Sequence, residues 1–162
     1  MFKLFQGKKK TIEVVSPVTG KVVPLEDVQD QVFASKMMGE GVAFELTDDI
    51  IVSPTDGKIT LLPESKHAFG VVSKEGLEIL VHIGLDTVDL NGEGFTSLIT
   101  VGDEVTKGTP IIEVDRTFIK NKGIILTTPM IVTNSSDFEV NIMDGGNDVH
   151  ASSSVVLECT KK

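Results

Sequence analysis

Tryptophan and tyrosine are absent from this 162-residue chain, so eight phenylalanines supply every large ring. The only cysteine is Cys159. It excludes an intrachain disulfide and any zinc site built on two or four thiolates, and a reducing, cytoplasmic setting is expected. Cations are the minority, with 15 Lys and Arg against 24 Asp and Glu and a net charge of −9. That balance argues against nucleic acid as a partner and favours a basic protein, drawn in by electrostatic steering. No apolar run approaches the ~20 residues needed to cross a bilayer. Long helical periodicity is missing as well.

What is present reads as all-β. Segments rich in Val and Ile recur between Gly, Pro, Asp and Ser punctuation, the pattern of short strands joined by turns. Strands are predicted over Ile12–Ser16, Gly20–Leu25, Gly41–Leu46, Ile50–Ser53, Gly57–Leu62, Ala68–Ser73, Leu77–Ile83, Pro110–Val114, Met130–Thr133, Glu139–Met143 and Val155–Thr160. Helical turns are predicted only over Leu85–Leu90 and over Arg116–Lys122, the latter closed by Gly123. Residues 1–10 form a short tail with four lysines and four apolar residues, suited to at most weak contact with an anionic membrane. One domain is expected over residues 11–162, and the initiating Met and short basic tail favour a free-standing protein.

Two internal echoes suggest duplication. Ser16-Pro17-Val18-Thr19-Gly20-Lys21-Val22 matches Ser53-Pro54-Thr55-Asp56-Gly57-Lys58-Ile59 at four positions, each a proline-led turn into a strand. Gly102-Asp103-Glu104-Val105 with Ile111-Ile112 is spaced like Gly146-Asn147-Asp148-Val149 with Val155-Val156. Related β units packed about a pseudo-twofold relation are therefore expected, as an antiparallel β-sandwich or partly closed barrel with one or two short helical turns.

The chemistry falls to three histidines. His150 sits in a turn-rich stretch and reads as an exposed loop residue. His82 ends the run Gly76-Leu77-Glu78-Ile79-Leu80-Val81-His82-Ile83-Gly84. Leu77, Ile79, Val81 and Ile83 alternate onto one face, while Glu78, Leu80 and His82 share the other. His67 enters the preceding strand, and a turn around Ser73-Lys74-Glu75-Gly76 folds the two strands into a hairpin. Both histidines stand seven or eight residues from that turn, so their imidazoles can meet. Paired imidazoles suit zinc binding with further ligands such as Glu78 or Asp86, acid–base catalysis, or nucleophilic catalysis in which one ring takes a phosphoryl group and the other donates to it. An apolar setting of Phe69, Leu80 and Ile83 favours the last, because excluding water limits futile hydrolysis.

The stretch Gly76–Val88 resembles the phosphorylation-site signature of the glucose-type enzyme IIA family of the phosphoenolpyruvate-dependent sugar phosphotransferase system. Ser65-Lys66-His67-Ala68-Phe69 resembles the segment carrying that family's second active-site histidine, and Asn91-Gly92-Glu93-Gly94-Phe95 resembles the loop that follows. The likeness runs from about Ile12 to the C-terminus. It implies the sandwich known as a duplicated hybrid motif and a phosphocarrier activity. His82 would take the phosphoryl group on Nε2, His67 would hydrogen-bond it, and Ser65, where relatives often have threonine, would orient His67. Asp30 and Asp86 would face a basic partner, with Val32, Phe33 and Phe69 in an apolar docking rim. The implied partners are HPr as donor and the cysteine of a IIB domain as acceptor. No cofactor is implied as required, although His67 and His82 can hold zinc in some members, completed by a partner carboxylate.

The chain departs from the family's pattern at Gln31, polar where a rim residue would be apolar, and in its tail, shorter than the amphipathic segment of some relatives. A superficial rival is Ala34-Ser35-Lys36-Met37-Met38, which looks like the lysine hairpin of biotinyl carriers. There the lysine lies only a few residues before the next Pro-x-x-Gly turn, whereas Lys36 is far from Pro54.

Overall fold

Strands form here because β-branched residues alternate with polar ones between tight turns, so each segment has one face to bury. The structure is a computed structural model that describes residues 10–143 and 148–162. In chain order it contains β1 (Thr11–Val15), β2 (Gly20–Pro24), α1 (Gln31–Ala34), β3 (Glu40–Leu46), β4 (Ile50–Val52), β5 (Gly57–Leu61), β6 (Ala68–Val72) and β7 (Glu78–His82). There follow β8 (Phe95–Ser97), β9 (Glu104–Val105), β10 (Pro110–Val114), α2 (Arg116–Asn121), β11 (Thr128–Val132), β12 (Phe138–Ile142), β13 (Asp148–Val149) and β14 (Val155–Lys161). Short 3-10 turns occupy Leu25–Asp27, Thr87–Leu90 and Ser135–Asp137. Every predicted strand is present, and the two predicted helical turns appear at Thr87–Leu90 and in α2. Among the described residues no helix is long and apolar enough to cross a membrane.

All strand pairs are antiparallel, in an eight-stranded sheet ordered β13-β2-β3-β11-β7-β6-β5-β9 and two three-stranded sheets, β1-β14-β12 and β4-β10-β8. The order is its own mirror under an exchange of halves. β2 trades with β5, β3 with β6, β11 with β7 and β13 with β9, while the small sheets trade places. The echoed motifs carry this relation atom by atom. Ser16 Oγ donates to Val18 O at 2.6 Å, and Ser53 Oγ donates to Thr55 O at 2.7 Å. Across the halves, Val15 N donates to Pro54 O at 2.9 Å and Val52 N to Pro17 O at 2.8 Å. Gly20 faces Val149 and Gly57 faces Val105. A Cβ at Gly20 would strike the carbonyl of Glu45, and one at Gly57 that of Val72, so both positions need glycine.

Between the sheets lies one core that includes Phe44, Phe69, Ile79, Val81, Ile83, Ile111, Ile112 and Met130, each contributing about 1.5–3 kcal/mol by burial. A second, smaller cluster sits on the outer face of the large sheet. There Leu25, Val28, Phe33 and Leu85 cover Ala43 and Ile131.

Three expectations need correction. The partly closed barrel gives way to the sandwich, because among the described residues β13 and β9 end the large sheet without pairing to one another and the sheets are not closed. More helical turns exist than the two predicted, since α1 and the turns at Leu25 and Ser135 left no trace in periodicity. Four residues make barely one turn, and α1 is set by its cap: Asp30 Oδ1 accepts from Val32 N at 2.9 Å. The short strands β8, β9 and β13 were likewise not predicted. The tail expectation for residues 1–9 and the echo at Gly146-Asn147 lie outside the described residues.

Candidate functional site

The β6–β7 hairpin places the two histidines. Its turn is closed by Ser73 N donating to Leu77 O and by Gly76 N donating to Ser73 O, both at 2.9 Å. The register that follows sets His82 opposite Ala68, with Ile83 N donating to the His67 carbonyl at 2.7 Å. His67 and His82 are therefore diagonal neighbours, one step from the directly opposed pair that counting from the turn implies. Period two alone would send His67 to the core face, but it precedes the strand. The chain reaches it through Lys66 at φ 55°, a left-handed bend that frees its ring from the alternation. The imidazole centroids are 5.0 Å apart with planes at 78°.

Each ring is oriented through Nδ1. His82 Nδ1 lies 2.8 Å from the carbonyl of Gly84, which can only accept, so the proton is on Nδ1 and Nε2 carries the free lone pair. His67 Nδ1 lies 2.6 Å from Ser65 Oγ, a hydroxyl able to donate or accept. Burial pushes the His82 imidazole below its ordinary range, against the Gly84 carbonyl and the carboxylates of Asp30 and Asp86, which pull it up. Burial also lowers His67, with the neighbouring His82 adding to the effect. Both rings are thus held neutral near pH 7.

The surroundings sort the other predicted residues. Phe33 is buried, and its ring centroid is 5.1 Å from that of His82 at a tilt of 55°. It shields the imidazole from one side. Val32 is 46% exposed and Gln31 is exposed at the start of α1. Asp30 is half-buried and Asp86 exposed. Both belong to the setting of His82. Phe69 does not: it is fully buried, pairs with Val81 in the register and packs in the main core. Its place in a docking rim is withdrawn, because strand alternation turns it away from the outer face. Glu78 lies at the other end of β7, bonded to Thr133 Oγ1 at 3.1 Å, and is no ligand for the pair.

Sequence reasoning missed two exposed apolar residues on segments that meet at Gly84. These are Val88, 49% exposed, and Ile125, 43% exposed, whose carbonyl accepts from Leu85 N at 2.8 Å. It also missed the Gly84 carbonyl as the acceptor for His82. Gly84 has φ +78°, a conformation open to glycine. His150 is exposed. Lys36 pairs with Glu26 at 3.1 Å and Glu40 at 3.4 Å rather than extending from a hairpin tip. Burial pushes the Cys159 thiol up to about 11, so it is no nucleophile. Among the described residues no three His, Cys, Asp or Glu side chains are grouped to hold a metal ion. His67 and His82 supply two nitrogen donors at most.

Residues 12–138 match the family model described as phosphoenolpyruvate-dependent sugar phosphotransferase system, EIIA 1. The chain belongs to this EIIA family. The chain is 45% identical over 143 residues to the PTS system glucose-specific EIIA components of two Staphylococcus epidermidis strains, covering 86% of each chain. Among solved structures, glucose permease IIA from Mycoplasma capricolum superposes with a TM-score of 0.85 at 35% identity, over 92% of this chain and 96% of that one. The EIIA resemblance and the antiparallel β-sandwich are thereby borne out.

Proposed function

We propose that this EIIA protein is a cytoplasmic histidine phosphocarrier that takes a phosphoryl group from phospho-HPr on His82 and passes it to the cysteine of a IIB domain of a glucose-type permease. The observation that carries this reading is the pair of rings 5.0 Å apart with His82 Nδ1 tied to the Gly84 carbonyl. The lone pair on His82 Nε2 attacks phosphorus as the donor's N–P bond breaks, so one N–P bond replaces another and the group moves with its three oxygens. Ser65 Oγ donates to His67 Nδ1, leaving the His67 proton on Nε2 to donate to a phosphoryl oxygen. Onward transfer breaks the His82 N–P bond as a thiolate sulfur attacks.

Val32, Val88 and Ile125 offer exposed apolar surface for docking, and Asp30 and Asp86 favour a basic partner. Phosphorylation adds roughly two negative charges beside those carboxylates, which makes the same face a switch for any partner that reads its charge. His67 and His82 would supply two nitrogen ligands to a zinc ion, His67 then in the opposite tautomer with its Nδ1–H donating to Ser65, and a partner carboxylate would add a further ligand.

The deciding experiment is incubation with phosphoenolpyruvate, enzyme I and HPr, followed by mass-spectrometric location of acid-labile phosphate. Label should reside on the peptide containing His82 and vanish in His82→Ala. Undiminished label in that variant would sink the assignment.

A further inference from the structure

Resting on the phosphocarrier reading of His82, we infer that Thr87 is a positioning residue whose hydroxyl holds the turn that presents the Gly84 carbonyl to His82 Nδ1. Thr87 is fully buried, and its Oγ1 donates to the Ile83 carbonyl at 2.6 Å. The other side of Ile83 is also tied, since its N–H donates to the carbonyl of His67. Ile83 therefore links both histidines to Thr87 through one residue's amide and carbonyl.

Two further contacts show that the turn is built around this side chain. Gly84 stands at φ +78°, and a Cβ placed on it would come within 2.6 Å of Thr87 Cγ2. The threonine methyl fills the space that glycine leaves. Asp86, at φ 61°, completes the reversal, and Leu85 N is held by the Ile125 carbonyl. Within this turn the Thr87 hydroxyl is the donor that the structure gives the Ile83 carbonyl. Without it a buried carbonyl loses its partner, which costs more than the bond itself contributes. The cheapest relief is rotation of the Ile83–Gly84 segment towards another donor. That rotation swings the Gly84 carbonyl away from His82, whose Nδ1–H tautomer is then no longer selected. Nε2 ceases to be uniformly the unprotonated nitrogen.

Methyl and hydroxyl can be separated. Thr87→Val keeps the bulk and removes the donor, whereas Thr87→Ser keeps the donor and removes the methyl. The tautomer is read from the two ring-nitrogen shifts of His82 in 15N NMR, before any phosphate is added. The unsubstituted protein and Thr87→Ser should both show Nδ1–H. In Thr87→Val the ratio of Nδ1–H to Nε2–H should fall roughly two- to tenfold, the ratio that one net hydrogen bond carries. The initial rate of phosphorylation by phospho-HPr should fall with it at unchanged KM. A folded Thr87→Val with unshifted His82 nitrogens overturns the inference, and so does Thr87→Ser behaving like Thr87→Val. A readout that needs no substitution is the Thr87 hydroxyl proton, which should exchange slowly enough to give a resonance; fast exchange also overturns the role. A tautomer shift in a protein that accepts no phosphate supports Thr87's role while sinking the phosphocarrier reading alone.

Discussion

β7 and β11 lie side by side in the large sheet and are counterparts under the pseudo-twofold exchange, yet their exposure differs. β11 is buried at all five positions, whereas β7 alternates, with Ile79 and Val81 buried and Glu78, Leu80 and His82 at least partly open. The cause is in the connections. Between β2 and β3 the chain runs from Leu25 to Gly39 and lays Leu25, Val28 and Phe33 over Ala43 and Ile131. The equivalent connection between β5 and β6 is only Leu62–His67. It covers nothing comparable and ends in Ser65 and His67 instead. A duplicated scaffold thus became a site by unequal loops. The long one shields His82 through Phe33, and the short one supplies its partner imidazole.

Removing the short connection's contribution should have the largest effect after loss of His82 itself. His67→Gln should still accept phosphate but pass it to the IIB cysteine at least tenfold more slowly, as expected for a lost charge-stabilising donor. Stopped-flow transfer to a IIB domain checks this, and normal onward transfer removes the role. Next comes the long connection. Phe33→Ala should lower unfolding free energy by about 3 kcal/mol through the cavity it leaves, whereas Val32→Ala beside it should stay within ~0.5 kcal/mol. Urea titrations of the pair measure how far the strap depends on its buried ring.

The open face should also show in pH dependence. Burial holds both imidazoles below their ordinary value of 6.5. The unfolded chain therefore binds their protons first as pH falls. Stability is at its full level above 6.5 and declines as pH drops towards the folded-state values. Denaturation midpoints of His67→Gln/His82→Gln should be flatter across that window than those of the unsubstituted protein. The smallest effect belongs to the ion pairs at the strap's end. Lys36→Met should leave the urea midpoint within error, because exposed pairs contribute little. A clear drop would move the anchoring of the strap from Phe33 to Lys36.

Much of this was legible in the residues. Alternation at Leu77, Ile79, Val81 and Ile83 gave both the strand and the face of His82, and the Ser-Pro-x-x-Gly-Lys echo gave the duplication. Phe69 entered the docking rim through the family resemblance and not through its own place in the strand pattern. Its register partner Val81 belongs to the core set, which already pointed inward. Other features left no local signal. One helical turn at α1 is decided by the Asp30 cap and by packing under Leu25 and Leu85. Ile125 reaches the Gly84 turn through a contact between distant segments. The acceptor for His82 Nδ1 is a backbone carbonyl, to which side-chain patterns are blind.

The most direct test of the account is the position of the phosphoryl group on the ring. In 15N-labelled protein phosphorylated by phospho-HPr, 15N–31P coupling should connect phosphorus to Nε2 of His82, with Nδ1 still protonated against Gly84. Coupling to Nδ1 of His82, or to either nitrogen of His67, would contradict it.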